Sequence, residues 1–217
     1  MLPAQLKPRI VARLKVAVFV ACLLPLARLI FLGVTDDLGA NPIEFITRST
    51  GTWTLAFLLI TLSVTPLRRW LNINWLLRLR RMLGLYAFSY GFLHFATYIL
   101  LDQFFDWQSI VADVMKRPYI TVGFPSFVLL IPLAVTSTNA MIRRLGAKRW
   151  QQLHRLVYVI AVGGIIHYWW LVKKDVTEPF YYAMVLALLL GARLEWYLQK
   201  LTPRPVKNAQ NLAKLPA

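Results

Sequence analysis

The sequence predicts an all-α membrane protein, a polytopic bundle of six transmembrane helices. Of its 217 residues, 58% are hydrophobic, whereas soluble domains have about 45–50%. Apolar runs of about 17–25 residues recur, which is the length that a helix needs to cross a hydrocarbon core of about 30 Å. The apolar residues run continuously and do not alternate with polar ones, so a transmembrane β-barrel is disfavoured.

The apolar runs define one transmembrane domain over residues 16–197, flanked by a basic N-terminal segment, 1–15, and a basic tail, 198–217. The first run resembles the core of a signal peptide, but Arg28 and the lack of a small-x-small site favour an uncleaved helix. The predicted helices are 16–33, 51–65, 82–101, 119–135, 153–172 and 179–197.

Two prolines are expected to shape the first two helices. Pro25 lies inside the first apolar run, where it is expected to kink the helix. Pro66 follows the second run directly. Because proline removes a backbone donor and clashes with the preceding turn, Pro66 is expected to end the second helix.

The charged residues are distributed by side of the membrane, which predicts the topology. The four segments 1–15, 66–81, 136–152 and 198–217 hold 17 Lys and Arg residues, and the opposite loops hold 5. Eight of the nine acidic residues lie in the opposite loops. The positive-inside rule therefore places both termini in the cytoplasm. The net charge of +16 is explained by this topology and by lipid contact, so no nucleic-acid partner is expected.

All three histidines, His94, His154 and His167, lie in or at the edge of predicted helices. Ionisable residues inside a membrane are costly and usually functional. His94 and His167 each lie thirteen residues beyond the cytoplasmic start of their helix, about 20 Å along the axis. They are therefore expected at matching depth in the outer half of the membrane, as the two axial ligands of one haem iron. The alternative is a pair of buried polar residues that bond to their neighbours.

A second cofactor is predicted at the cytoplasmic level, around His154 and Trp150. The position that would face His154 on the third helix is Arg81, so a second bis-histidine haem is not supported. Guanidinium groups bind phosphate well and aromatic rings stack on ring systems, so Arg78, Arg80 and Arg81 favour flavin mononucleotide (FMN). The alternatives are lipid-headgroup contact for the arginines, and an interfacial histidine or a further metal ligand for His154.

Two other features are interpreted as parts of the haem site. Gly163 and Gly164 precede His167, where they are expected to bend the helix and to leave room for a flat macrocycle. Arg117 is an exception to the charge pattern on the outer side. It is expected either to contact a haem propionate or to snorkel to the membrane interface.

Several segments resemble those of the MsrQ (formerly YedZ) family of haem-binding membrane subunits. The resemblance covers residues 78–170 strongly and the rest of the chain by layout. The feature most specific for this family is the segment around His154, together with its spacing of thirteen residues from His167. The matching segments are RLRRMLGLYAF (78–88), His94, KRPYITVG (116–123), LAVTSTNAM (133–141), KRWQQLHRLVY (148–158) and IHYWW (166–170).

The resemblance implies a ferric-reductase-like transmembrane domain in the bacterial inner membrane. It also implies an electron-transfer subunit, not the catalytic subunit, that passes electrons to the periplasmic molybdoenzyme MsrP for the repair of methionine sulfoxide in periplasmic proteins. Haem b and FMN are the implied cofactors, and the quinone pool or a cytosolic flavin reductase is the implied electron donor.

Carried over by residue, the resemblance assigns the family's histidines to His94, His154 and His167, and its FMN-linked arginine pair to Arg80 and Arg81. Related oxidases have four histidines for two haems, and the fourth is absent here. The acidic outer loops 34–50 and 102–118 are expected to meet the partner by electrostatic attraction.

Two other functions are compatible with the same residues. A stand-alone transmembrane ferric or quinone reductase would use the haem without a periplasmic partner. A small transporter would use the histidines as a proton relay, although paired acidic residues inside the helices, which would favour transport, are lacking. A visible haem spectrum would distinguish the transporter from both reductases.

Overall fold

The computed structural model describes residues 6–172 and 174–201, and within these ranges the regular elements are helices without strands. The N-terminal residues 1–5 and the predicted tail beyond residue 201 lie outside the described residues. The helices are α1 (Pro8–Val34), α2 (Pro42–Leu71), α3 (Leu77–Thr97), α4 (Trp107–Lys116), α5 (Pro118–Val135), α6 (Asn139–Leu145), α7 (Ala147–His154), α8 (Leu156–Leu171) and α9 (Thr177–Leu201).

Within residues 6–172 and 174–201, four helical segments are long and apolar enough to cross a membrane, namely α1, α2, α5 and the segment Asn74–Asp102 that contains α3. The last begins with a 3-10 turn and ends with a π-helical turn, Tyr98–Asp102. α8 has only 16 residues, and α9 carries Glu178 in its first turn and Lys200 in its last. The all-α membrane bundle is confirmed, whereas the number of six spans stays a prediction.

The prediction that Pro66 ends the second helix is wrong. α2 continues through Pro66 to Leu71. Because proline has no N–H, the carbonyl of Leu62, four residues earlier, loses its usual helical partner. The guanidinium of Arg193 on α9 donates a hydrogen bond to that carbonyl. This contact from another helix replaces the missing backbone bond and explains how α2 continues.

The hydroxyl of Tyr90 on α3 is inserted into the backbone of α1. It accepts a hydrogen bond from the Leu26 N–H at 3.1 Å and donates one to the Cys22 carbonyl at 2.9 Å. In a regular helix these two backbone groups bond to each other. Pro25 lies in the same turn, and an inserted side chain is a known cause of helix kinks. Tyr90 therefore anchors α1 at the point where the sequence predicts a kink.

We expect Tyr90→Phe to lower the free energy of unfolding by about 1–3 kcal/mol, because two backbone groups of α1 lose their partner. Thermal unfolding of the purified protein in detergent measures the loss. Tyr86→Phe is the matched control, since the Tyr86 hydroxyl only donates to the Phe19 carbonyl, at 3.0 Å, and its loss should be smaller. Equal losses in both variants would contradict a special role for the insertion.

The predicted loops 102–118 and 136–152 contain short helices. The carboxylate of Asp106 caps α4 by accepting hydrogen bonds from first-turn N–H groups and from the Ser109 hydroxyl. The bonds from Ser109 lower the pKa of Asp106. The Thr138 hydroxyl caps α6 in the same way. These helices are stabilised by polar caps at their starts, a signal that a search for membrane-length apolar runs does not use.

The predicted fifth helix, 153–172, consists of two helices. α7 ends at His154 and α8 begins at Leu156, with a turn at Arg155 between them. The short α7 is amphipathic, and it follows Gly146, whose φ of +75° is accessible to glycine. His154 and His167 therefore belong to different helices, and no face of one helix has to present both.

α8 runs through Gly163 and Gly164 without a break. A Cβ at Gly163 would collide with the Ser126 side chain of α5, and one at Gly164 would lie 3.5 Å from Leu55 of α2. Gly163 thus allows close helix packing, as small residues do in membrane bundles, whereas a Cβ at Gly164 would make an ordinary contact. The prediction that these glycines leave room for a macrocycle is wrong at Gly163, where the Ser126 side chain occupies that space, and a bend at these glycines stays a prediction.

Two antiparallel helix pairs, α2 with α3 and α5 with α8, form the centre of the bundle. Between them lies a core that includes Leu62, Ala87, Ile160 and Ala161. α9 packs against α2 and α8, whereas α1 lies at the edge with most of its side chains exposed. The central pairs bring the far ends of α3 and α8 together, and these ends carry two of the histidines.

Candidate functional site

His94 lies in the last turn of α3 and points at the backbone of α2. Its Nδ1 is 2.9 Å from the carbonyl oxygen of Thr47. The ring lies against Gly51, where a Cβ would be 3.0 Å from both Nδ1 and Cε1. The absence of a side chain at Gly51 therefore lets the imidazole reach the backbone of the neighbouring helix.

His167 lies near the end of α8 and meets α5 in the same manner. Its Nδ1 is 2.7 Å from the carbonyl oxygen of Tyr119. The ring lies against Gly123, where a Cβ would be 2.5 Å from Nδ1 and 2.9 Å from Cε1. This contact is closer than the one at Gly51, so the glycine at this position is the stricter requirement.

The imidazole rings of His94 and His167 have centroids 6.0 Å apart and planes inclined by 80°. Both side chains are partly buried. A carbonyl only accepts hydrogen bonds, so each Nδ1 donates its proton and each Nε2 keeps a free lone pair. A hydrogen bond from Nδ1 to a backbone carbonyl is the usual way in which a metal-binding histidine is oriented.

The pair fits the axial ligands of a haem. Two metal–nitrogen bonds of about 2.0 Å, with about 1.1 Å from each nitrogen to its ring centre, separate two imidazole centroids by about 6 Å. The observed separation is 6.0 Å. No group of three or more His, Cys, Asp or Glu side chains that could hold a metal ion occurs among the described residues. Haem needs only two protein ligands, because the macrocycle supplies the others.

His154 lies at the other end of the bundle, at the end of α7. Its ring stacks on Trp150 with centroids 3.9 Å apart and planes at 28°. Its Nδ1 is 3.1 Å from the Trp150 carbonyl. Its Nε2 is buried without a partner of good hydrogen-bond geometry, although the backbone of Leu133 also interacts with the ring. Arg80 lies close enough to interact electrostatically with both His154 and Arg193.

Arg78 and Arg81 lie on a different side of α3 from Arg80. With Lys15 they line the polar end of a groove between α1 and α3, which has a volume of about 560 Å³. Arg81 also donates a hydrogen bond to the Asn139 side chain at 3.1 Å. The three arginines that the sequence suggests as one cluster are therefore divided between two surfaces, and only Arg80 lies close to His154.

Three buried polar atoms lack a hydrogen-bond partner in the part of the chain that the structure describes: Thr61 Oγ1, Trp75 Nε1 and His154 Nε2. All three lie in the half of the bundle that is predicted to face the cytoplasm. A buried polar group without a partner costs about 1–3 kcal/mol. A polar ligand or an ordered water at this level would remove that cost.

Comparison with known proteins shows the family to which the chain belongs. Residues 49–165, from α2 to most of α8, match the family described as "Ferric reductase like transmembrane component". A "Protein-methionine-sulfoxide reductase heme-binding subunit MsrQ" from Ralstonia nicotianae is 59% identical over 198 residues, which cover 90% of this chain and 91% of the relative. The chain belongs to the MsrQ family. The family resemblance seen in the sequence is thereby confirmed.

Other MsrQ proteins match over similar lengths. The protein of the same name from Herminiimonas arsenicoxydans is 59% identical over 86% of this chain and 87% of its own length. That from Azospira oryzae is 51% identical over 94% of this chain and 88% of its own length. These relatives correspond to almost the whole chain, so the likeness extends well beyond the segment that carries the histidines.

In this MsrQ-family chain, Arg117 lies just before α5, close to the His167 site. Its Nε is 3.0 Å from a carboxylate oxygen of Asp113, and it donates a hydrogen bond to the Tyr119 hydroxyl at 3.3 Å. The Tyr119 carbonyl holds His167. Arg117 is thus connected to the ligand pair through Tyr119, and a direct contact with a haem propionate stays a prediction.

Acidic residues of the loop 102–118, which is predicted to lie on the outer side, have structural partners in this MsrQ chain. Asp113 accepts hydrogen bonds from Tyr98 at 3.2 Å and Gln103 at 3.1 Å, in addition to its ion pair with Arg117. Its side chain is only 14% exposed. The expectation that this loop presents a free acidic rim to a partner is therefore not supported at Asp113.

Sequence reasoning missed the groups that hold the two histidines in this MsrQ chain. These are the carbonyls of Thr47 and Tyr119 and the glycines Gly51 and Gly123. Backbone carbonyls leave no mark in a sequence. The sequence spacing could have indicated them. In each case a glycine lies four residues after the carbonyl residue, on a helix that packs against the helix carrying the histidine.

Proposed function

We propose that this chain is the haem b-binding electron-transfer subunit of a methionine-sulfoxide reductase system. It would carry electrons across the bacterial inner membrane to the periplasmic molybdoenzyme MsrP, and so serve the repair of methionine sulfoxide in periplasmic proteins. The observation that carries the proposal is the pair of His94 and His167, whose ring centroids are 6.0 Å apart and whose Nδ1 atoms are both held by backbone carbonyls. Its MsrQ relatives are named heme-binding subunits, which supports the proposal.

His94 and His167 are the residues that would hold the haem. When bound, a haem with two histidine ligands supplies one-electron transfer and offers no open coordination position to oxygen. The carbonyls of Thr47 and Tyr119 hold both rings, so little reorganisation of the ligands is needed when the charge on the iron changes. The site lies near the predicted periplasmic ends of α3 and α8, which suits delivery to a periplasmic partner.

We further propose that FMN binds at the cytoplasmic level. The partnerless atoms of Thr61, Trp75 and His154 include N–H and O–H donors of the kind that flavin carbonyls and ring nitrogens accept. Arg80 is the arginine placed to attract the phosphate, because Arg78 and Arg81 face another groove. In this proposal the quinone pool or a cytosolic flavin reductase delivers electrons at this level.

The proposal is tested on the purified protein in detergent or nanodiscs. Haem per chain is measured by pyridine haemochrome, and flavin by fluorescence after release. The protein is then reduced without oxygen and mixed with MsrP and methionine sulfoxide. We expect one haem b per chain, and reoxidation that requires both MsrP and methionine sulfoxide.

Each alternative has its own outcome in this experiment. Reoxidation by a ferric chelate or a quinone at the same rate without MsrP would favour a stand-alone reductase. A preparation that is correctly folded but does not take up haem would refute the proposal and favour the transporter. Haem without flavin would refute only the FMN part.

A further inference from the structure

His94 and His167 are held by the same arrangement of backbone groups, which occurs twice in the chain. In each copy a helical carbonyl accepts a hydrogen bond from Nδ1, and a glycine four residues after that carbonyl lies against the imidazole ring. The histidine follows the carbonyl by 47 residues in one copy and by 48 in the other. The first copy joins α2 to α3, and the second joins α5 to α8.

The order and direction of the helices also agree between the copies. In each, the carbonyl and glycine lie on the first helix, and the histidine lies near the end of the antiparallel second helix. Thr47 and Gly51 precede Tyr119 and Gly123 by 72 residues each, and His94 precedes His167 by 73. The chain therefore contains two similar helix-pair units that each supply one histidine to the shared site.

Helix geometry explains why the residue four positions after each carbonyl must be glycine. A helical carbonyl at position i already accepts a bond from the N–H at position i+4. A side chain on a helix covers the surface of the turn that precedes its own Cα. A side chain at position i+4 would therefore lie over the carbonyl at position i, where the imidazole has to approach.

The distances agree with this explanation and separate these glycines from others in the same bundle. A Cβ at Gly123 or Gly51 would meet imidazole atoms at 2.5 Å and 3.0 Å. A Cβ at Gly84 of α3 would lie 3.7 Å from a Thr61 methyl, and one at Gly164 of α8 would lie 3.5 Å from Leu55. The latter two are ordinary contacts, so these glycines serve as controls.

We infer that Gly51 and Gly123 are positioning residues, which uncover the carbonyls of Thr47 and Tyr119 so that His94 and His167 are oriented as a ligand pair. This inference rests on the proposed function in that it takes haem as the ligand. It means that the chain requires glycine at two positions, although neither residue binds the metal or contacts a substrate.

The test compares Gly123→Ala and Gly51→Ala with the controls Gly84→Ala and Gly164→Ala. Each full-length variant is purified, checked for folding by thermal unfolding, and measured for haem content, ferric spin state and midpoint potential. We expect Gly123→Ala to lower haem occupancy about tenfold or more, as loss of an outer-shell partner does. Gly51→Ala should show a smaller loss, with a part of the haem converted to the high-spin form.

The potential and the response to added imidazole report on the ligand itself. A ring displaced from its carbonyl is a less basic ligand, so the haem that remains should have a more positive midpoint potential. Millimolar imidazole should restore the low-spin spectrum by replacing the displaced histidine. Neither response is expected of Gly84→Ala or Gly164→Ala, which should resemble the original protein.

Several outcomes would overturn the inference. One is a Gly123→Ala protein with the original haem content, spin state and potential. Another is an equal loss in all four variants, since that would reflect bundle packing alone. If Gly123→Ala does not fold, Gly51→Ala decides by the same criteria. An original protein that folds but binds no haem would refute the proposed function first, and is thereby distinguished from failure of the inference alone.

Discussion

His94→Ala and His167→Ala are each expected to remove haem from the purified protein, whereas His154→Ala is expected to retain it. Each of the first two variants deletes one of two imidazoles whose Nδ1 is fixed to a backbone carbonyl. Loss of a ligand that is so well oriented should cost at least the 10–100-fold in affinity that outer-shell changes typically cost. His154 stacks on Trp150 at the opposite end of the bundle, so its loss should leave the pair intact.

Haem content and a reduced-minus-oxidised spectrum measure this prediction. His154→Ala is the matched control, because it also removes a partly buried histidine from the same bundle. A second haem that disappears only in His154→Ala would mean that the cytoplasmic level binds haem through His154 and a second ligand other than histidine. Full haem content in both His94→Ala and His167→Ala would contradict the ligand assignment.

The all-α membrane fold could be predicted from the sequence because apolar runs report directly on burial in lipid. The ends of the helices were harder to predict, since they depend on contacts with residues elsewhere in the chain. Pro66 is the example: alone it favours a helix end, but Arg193 from α9 satisfies the carbonyl that it leaves free. No local pattern contains that information, because the two residues are far apart in sequence.

The candidate site was predicted in part. The matching depths of His94 and His167 followed from counting residues along two helices, and the structure brings these rings to 6.0 Å. The room for a macrocycle at Gly163 was predicted wrongly, because glycine serves both helix packing and ligand access and the sequence does not distinguish these uses. The glycines that do contact the histidines, Gly51 and Gly123, lie on other helices.

The division of the arginines shows a similar limit. Arg78, Arg80 and Arg81 are close in sequence, and their charge suggests one phosphate site. On a helix, however, residues one or two positions apart point in different directions. Arg80 lies near His154, whereas Arg78 and Arg81 line the groove between α1 and α3. Helical periodicity could have separated them once the limits of α3 were known.

Arg193→Leu is expected to destabilise the bundle through the Leu62 carbonyl, and Pro66→Ala is expected to remove most of that effect. With Pro66 present, the carbonyl depends on Arg193. With alanine at this position, the backbone N–H can donate to the carbonyl in the ordinary helical way. Arg193 also donates to the Leu189 carbonyl at 2.7 Å, so a part of its contribution should persist in the Pro66→Ala background.

The quantity to measure is the coupling energy from a double-mutant cycle of Arg193→Leu and Pro66→Ala, obtained from unfolding in mixed detergent micelles. Interhelical hydrogen bonds in membrane proteins contribute about 0.6–2 kcal/mol, and we expect a coupling within that range. Arg78→Leu is the control, since it removes an exposed arginine and should not couple to position 66. A coupling near zero for Arg193 would show that its hydrogen bond does not compensate for Pro66. The continuation of α2 would then need another cause, such as the packing of α2 against α3 and α9.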